Sequence, residues 1–208
     1  MIKTENKKLD SFWSKGLKPG GFIVIAARPG MGKTSFLLSI GNLISQYHKT
    51  QLISLKTSLS QLMQKRISDL ILINDSTDFN LENLSKLILQ NNLQVVLIDY
   101  LQLITDDRDN LIKELKSIAV KLNICMIVNS QISRKPEYRA LSDRRPKISD
   151  LTTSGSIFNL DNIAYIDHLT FFYRDYYYNK DFKKPDEIEL IQYDDGVLKL
   201  IQIDSRTL

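Results

Sequence analysis

The stretch that most limits what this chain can fold into is Phe22-Ile23-Val24-Ile25-Ala26, followed by Ala27-Arg28-Pro29-Gly30-Met31-Gly32-Lys33-Thr34. An unbroken apolar run of that length predicts a buried strand. Beyond the glycines, Phe36, Leu37, Ile40, Leu43, Ile44 and Tyr47 recur at steps of three and four, which predicts an amphipathic helix over Ser35–Tyr47. A strand that passes through a tight glycine-bearing turn into a helix N-terminus can hold a nucleotide's phosphates. Backbone N–H groups and the helix dipole point at the anion, the lysine reaches the outer phosphates, and the threonine ligates Mg²⁺. The pattern G-x-x-x-x-G-K-[ST] fails only at its first position, where Ala27 stands for glycine. A Gly-Lys-Thr that merely opens a helix is the competing reading, and the preceding strand argues against it. Arg28, Pro29, Gly30, Met31, Gly32, Lys33, Thr34 and Ser35 are therefore the candidate phosphate-binding residues.

Holding the metal calls for a carboxylate at the end of another strand. Val95-Val96-Leu97-Ile98-Asp99 supplies one at the carboxyl edge, where ligands bind in open α/β sheets. Thr34 and Asp99 are the expected Mg²⁺ ligands, partly through water. Further strand-length runs lie at Gln51–Leu55, Leu70–Ile73, Cys125–Ser130 and Asp167–Tyr173, nearly continuous in apolar character, as strands buried on both faces are. Helical periodicity returns over Leu81–Leu89 and Leu111–Leu122. The alternation predicts an α/β fold with a mainly parallel sheet and right-handed crossovers. Near the end, Ile188–Tyr193 and Val197–Asp204 flank Asp194-Asp195-Gly196, which predicts an antiparallel hairpin. Residues 133–149 lack periodicity and read as a long polar loop.

Composition excludes several classes. Among 208 residues no uninterrupted apolar stretch is long enough to span a bilayer. The lysines near Met1 precede no apolar run, so no secretory signal is expected. One cysteine, Cys125, sits in an apolar run and fits a core thiol in a reducing, cytoplasmic setting. His48 and His168 stand apart from other metal-ligating residues, and neither is expected to be a ligand.

Taken in order, these segments resemble the C-terminal RecA-type motor domain of DnaB-family replicative helicases over most of the chain. Leu9-Asp10 and Gly16-Leu17-Lys18-Pro19-Gly20 resemble the family's lead-in to the first strand, and Ala27 is a common residue at its place in the family's phosphate loop. Ile98-Asp99-Tyr100-Leu101-Gln102-Leu103-Ile104 resembles the Walker B segment. Ser130-Gln131-Ile132-Ser133-Arg134 and Arg144-Arg145-Pro146-Lys147-Ile148-Ser149-Asp150-Leu151 resemble the sensor strand and the loop after it. Ser154-Gly155-Ser156-Ile157 and Phe172-Tyr173-Arg174-Asp175-Tyr176-Tyr177-Tyr178 complete the series. The resemblance implies a RecA-like P-loop fold and a ring-forming, usually hexameric, ATP-driven motor that threads single-stranded DNA. Each ATP would lie at a subunit boundary. Lys33, Asp99 and Gln131 would be the catalytic residues, with Gln131 sensing the γ-phosphate or merely capping its strand. The chain is expected to form one RecA-like domain over 1–208, comprising a lead-in over 1–20, the basic loop at 133–149 and the hairpin at 188–204.

Three departures from the family stand out. Where the family has a glutamate that orients the attacking water, this chain has Lys56. A cation cannot accept a proton, and base assistance is worth about 10² to 10⁴-fold. Lys56 is either a solvated lysine beside a different carboxylate, with Asp106 and Asp107 the available ones, or a mark of weak turnover. The family's basic pair in the hairpin, its arginine finger, is replaced by Gln192-Tyr193-Asp194-Asp195-Gly196. Fingers contribute about 10³ to 10⁵-fold, and Arg206 is the nearest substitute. No counterpart of the family's N-terminal domain and linker helix is expected within these residues, and Thr105–Asn110 is shorter than its first DNA-facing loop, so the chain is expected to be a fragment or a reduced homologue.

Arg134, Lys135, Arg139, Arg144, Arg145 and Lys147 set against Glu137 and Asp143 give a local charge equal to the net +4 of the whole chain. Such a cluster binds a nucleic-acid backbone with little sequence preference, and Tyr138 is placed to stack on a base; a merely solvated loop is the alternative. The tyrosines at 173–178 read as structural. The leading expectation is a Mg-ATP-driven DNA helicase motor working in replication, as an oligomer or with a replication partner. Its rival is a nucleotide-binding but hydrolysis-deficient adaptor that binds DNA or a helicase. A small-molecule kinase would need an arginine-bearing lid, and none is recognisable.

Overall fold

The computed structural model describes residues 2–13, 17–65, 67–75, 79–104, 110–140, 144–152, 157–178, 187–194 and 197–204. Its strands are β1 (Phe22–Ala27), β2 (Thr50–Ser54), β3 (Ile71–Asn74), β4 (Val95–Asp99), β5 (Cys125–Gln131), β6 (His168–Tyr173), β7 (Glu187–Asp194) and β8 (Val197–Asp204). They form one sheet in the order β3-β2-β4-β5-β1-β6-β7-β8. The first six strands run parallel, and β7 and β8 add an antiparallel hairpin to the free side of β6. The expected fold class is what the structure has.

The helices are α1 (Lys7–Phe12), α2 (Lys33–Ser45), α3 (Leu59–Leu62), α4 (Leu81–Asn91), α5 (Leu111–Lys121), α6 (Ile148–Thr152) and α7 (Leu160–Ile163). Alternate residues of each central strand serve opposite faces. Ile23, Ile25, Leu97, Cys125 and Ile127 pack with Phe36, Leu37, Ile40 and Ile44 of α2. Val24, Val96, Ile98, Met126 and Val128 pack with Leu84 and Ile88 of α4 and Leu111, Ile112 and Leu115 of α5. This is why the strands read as continuous apolar runs. The helix α2 lies so close to the sheet that a Cβ on Gly41 would stand 2.6 Å from Leu97 Cδ1 and 3.2 Å from Ile71 Cδ1.

The reading of Leu70–Ile73 as a doubly buried strand is corrected. β3 ends the sheet, and Leu70 and Leu72 are 59% and 47% exposed. An edge strand has one neighbour, and its apolar side chains are covered only where a helix reaches them. The lead-in is built into the core. The side chain of Asn6 caps α1, Leu9 and Trp13 are fully buried, and Trp13 Nε1 donates to Thr170 Oγ1 at 2.8 Å. Segment 133–149 is less featureless than expected: Lys135–Tyr138 forms a 3₁₀ turn on buried Pro136, and α6 begins at Ile148. Residues 14–16, 105–109, 141–143, 153–156, 195–196 and 205–208 lie outside the described residues, and with them fall Gly16, Asp106, Asp107, Asp143, Ser154 to Ser156, the Asp195-Gly196 turn and Arg206.

Candidate nucleotide and nucleic-acid sites

Strands β2, β4, β5 and β1 are adjacent and parallel, so their carboxyl ends meet along one edge, with Ala27 beside Gln131 and Ser54 beside Asp99. The turn after β1 bends through Gly30 at φ 80° and Gly32 at φ 98°, a region that L side chains enter only with strain. Gly32 is the N-cap of α2, and among the described residues no side chain satisfies the first N–H groups of that helix. Those donors are therefore available to an anion.

Half-buried Lys33 folds its ammonium back onto the loop, donating to the carbonyls of Ala27 at 2.9 Å and Arg28 at 3.0 Å. Burial pushes the pKa of this ammonium down to about 8; Asp99 pulls it up, while Lys56 and Arg28 push it further down. Thr34 Oγ1 donates to Asp99 Oδ2 at 2.7 Å. The buried Asp99 carboxylate also accepts from Asn129 Nδ2 at 2.8 Å, and Asn129 Oδ1 has no partner among the described residues. The sequence reading missed Asn129, because an amide within an apolar strand gives no sign of what it faces until strand order is known.

The structure does not hold all eight loop residues alike. Met31 is buried in the core, and Ser35 is exposed on α2. Arg28 is buried; it pairs with Glu137, donates to the Tyr178 hydroxyl, and lies 4.9 Å and 5.4 Å from the ring centroids of Tyr178 and Tyr177. That guanidinium is committed to protein partners. The tyrosine cluster is partly structural, with Tyr173 and Tyr178 stacked at 5.7 Å. It also covers the loop: a Cβ on Gly30 would stand 3.4 Å from the Tyr177 hydroxyl, and one on Gly32 3.9 Å from the Arg174 guanidinium carbon. Arg174 thus brings a cation to the phosphate turn, because β6 ends beside β1. Exposed Lys56 follows β2 on the same edge, its Nζ 5.4 Å from the Tyr100 ring centroid.

Gln131 is exposed at the end of β5. Its N–H donates to Gln102 Oε1 at 3.2 Å, and Gln102 Nε2 donates to its carbonyl at 2.9 Å and to Ser130 Oγ at 2.8 Å. Gln102, also missed, clamps the strand end that presents Gln131.

The six cations of the basic segment divide. Arg139 pairs with buried Asp150. Arg145 makes a bidentate pair with Glu189 of β7, both contacts at 2.8 Å. Arg144 Nε donates to the Arg139 carbonyl at 3.2 Å, and its guanidinium lies 5.2 Å from the Tyr178 ring centroid. Arg134, Lys135 and Lys147 are exposed, as is Tyr138. The charge sum over 134–147 omitted Asp150 and Glu189, the acids that partner this segment from outside it. In β7, buried Gln192 is spent on His168.

The strand order, the glycine turn and the Thr34–Asp99 contact together define a RecA-like P-loop domain. The chain belongs to the family described as the DnaB-like helicase C terminal domain, which matches residues 1–85 and 68–203. A probable plasmid replicative DNA helicase of Chlamydia psittaci is 35% identical over 188 residues, covering 68% of this chain and 41% of that protein. The replicative DNA helicase DnaB of Geobacillus stearothermophilus is 30% identical over 238 residues, covering 91% of this chain and 51% of that one. This chain therefore spans about half the length of the curated relatives it matches. A solved DnaB-like replicative helicase, described with its interactions with primase, superposes with a TM-score of 0.79 at 26% identity, covering 98% of this chain and 60% of that one. Among the described residues no helix is long and apolar enough to cross a membrane, and no group of three or more His, Cys, Asp or Glu residues is arranged to hold a metal.

Proposed function

We propose that the chain is the motor domain of a replicative DNA helicase, binding Mg-ATP at the β1–α2 turn and coupling its hydrolysis to movement along single-stranded DNA in the cytoplasm, as an oligomer or with a replication partner. The observation that carries this reading is the contact between Thr34 and Asp99, which joins the start of α2 to the end of β4 beside uncapped helix N–H groups. One hydroxyl and one carboxylate suit a magnesium ion that takes its other ligands from phosphate and water, and the unpartnered Asn129 oxygen beside them is an acceptor for such water. Thr34 and Asp99 would hold the ion, which when bound offsets the charge that develops on the phosphates. Lys33 leaves the Ala27 and Arg28 carbonyls to meet the anion, Arg174 adds a cation from the same chain, and Gln131 stands at the end of the neighbouring strand as the sensor. Arg134, Lys135 and Lys147 are the cations that contact the DNA backbone.

A second reading, a nucleotide-gated adaptor with little turnover, is favoured by Lys56, which places positive charge where a carboxylate would polarise water. Phosphate release from Mg-ATP, with and without single-stranded DNA and beside Lys33→Ala, separates the two. DNA-stimulated release lost in the variant supports the motor. Tight nucleotide binding with release no faster than in the variant supports the adaptor.

A further inference from the structure

Asn129 lies in β5 between Val128 and Ser130, opposite Ile25 of β1, and is completely buried. Before it on the same face of this strand stand Cys125 and Ile127, both in the apolar core, and after it comes Gln131 at the exposed strand end. An amide here is out of keeping with its surroundings, because an apolar residue of the same size would pack with no polar atoms to satisfy. Its hydrogen bond runs to Asp99 Oδ1 at 2.8 Å. The other oxygen of that carboxylate receives the Thr34 hydroxyl at 2.7 Å. Two donors from two different elements thus fix both oxygens of one carboxylate, and the carboxylate cannot rotate without losing one of them. The amide oxygen is left buried with no partner among the described residues.

We propose that Asn129 is a positioning residue for the divalent-cation site: its Nδ2 sets the orientation of the Asp99 carboxylate, and its Oδ1 offers an acceptor to water carried by the cation. The inference rests on the reading of Thr34 and Asp99 as Mg²⁺ ligands and adds a residue that touches neither nucleotide nor metal. Groups that orient a metal-binding carboxylate change metal affinity by about 10 to 100-fold when removed. A residue with only a packing role would change thermal stability and leave the Mg²⁺ requirement where it was.

The test is the Mg²⁺ concentration needed for half-maximal tightening of a fluorescent ADP analogue on the intact chain, beside binding without Mg²⁺ and the thermal midpoint. Asn129→Leu is expected to raise the Mg²⁺ midpoint about 10-fold or more, with magnesium-free affinity changed less than about twofold. Asn129→Ser, which is small enough to admit a water in the amide's place, is expected to fall between the two and serves in its stead if the leucine variant does not fold. A folded variant with an unchanged Mg²⁺ midpoint overturns the role of Asn129 and leaves the phosphate site standing. Wild-type chain whose nucleotide binding is indifferent to Mg²⁺ overturns both.

Discussion

The phosphate turn and the basic segment are both rich in polar groups, yet they are built in opposite ways. At the turn, backbone conformation carries the site. Gly30 and Gly32 take positive φ angles, and among the described residues the first N–H groups of α2 stay uncapped and Lys33 bonds only to carbonyls five and six residues back. The basic segment is carried by side chains whose partners come from elsewhere: Asp150 of α6 holds Arg139, Glu189 of β7 holds Arg145, and Tyr178 faces Arg144. A site made of consecutive backbone is specified by its own stretch of sequence. A charge cluster acquires its meaning only when the fold decides which acids will lie beside it.

That contrast is broken or sharpened by substitution. Lys33→Ala should weaken nucleotide binding by about 10²-fold or more without lowering the thermal midpoint, as read by calorimetric titration and thermal unfolding; unaltered binding would remove the turn as the phosphate site. Arg145→Ala should act in the other direction. It leaves the nearly buried Glu189 carboxylate without its partner, at a cost of about 2 kcal/mol, or roughly 30-fold in the folding equilibrium. The salt dependence of DNA binding should stay as it was; a change there would return Arg145 to the DNA-contacting set.

A smaller effect is set by pH. Lys33 loses its proton near pH 8 in the free protein, whereas a bound polyphosphate favours the ammonium. Binding at pH 8 to 9 should therefore take up a proton, and affinity should fall as pH rises above 8, by at most about tenfold per unit. Calorimetry in buffers of different ionisation enthalpy measures that uptake. For folding the sign is reversed: between pH 8 and 10.5 the unfolded lysine keeps a proton that the folded one has released, so this group adds stability as pH rises through that window. The smallest expected effect belongs to the exposed cations. The pair Arg134→Ala and Lys135→Ala should weaken single-stranded DNA binding a few-fold and flatten its salt slope by about 1.4, with thermal stability unmoved.

Strand–helix alternation and the order of the motifs were legible because apolar runs and glycine spacing are local signals. Thr34 and Asp99, sixty-five residues apart, were paired from sequence because each sits in its own recognisable segment, and the structure brings them to hydrogen-bond distance. Other features depended on strand order. Nothing in the sequence places β6 beside β1, so the approach of Arg174 and Tyr177 to the glycines of the turn was not foreseen. Asn129 and Gln102 escaped notice for the same reason. Arg28 looked like a phosphate ligand by position, but the partners of its buried guanidinium, Glu137 and Tyr178, lie more than a hundred residues downstream. The exposure of β3 was hidden because an apolar tetrapeptide reads alike at the centre and at the margin of a sheet.

The absent side chain at Gly41 works as a gauge block of zero thickness. It sits seven residues beyond Thr34 on α2, about 10 Å along the helix, and the helix backbone there rests against Leu97, two residues before Asp99. One added methyl would force the side-chain ends of Leu97 and Ile71 to shift, whereas the hydroxyl–carboxylate contact near the start of the helix tolerates only a few tenths of an ångström. The fit of α2 against the strand that bears Asp99 is thus gauged at a position with no side chain, and a surveyor looking only at polar residues would walk past it.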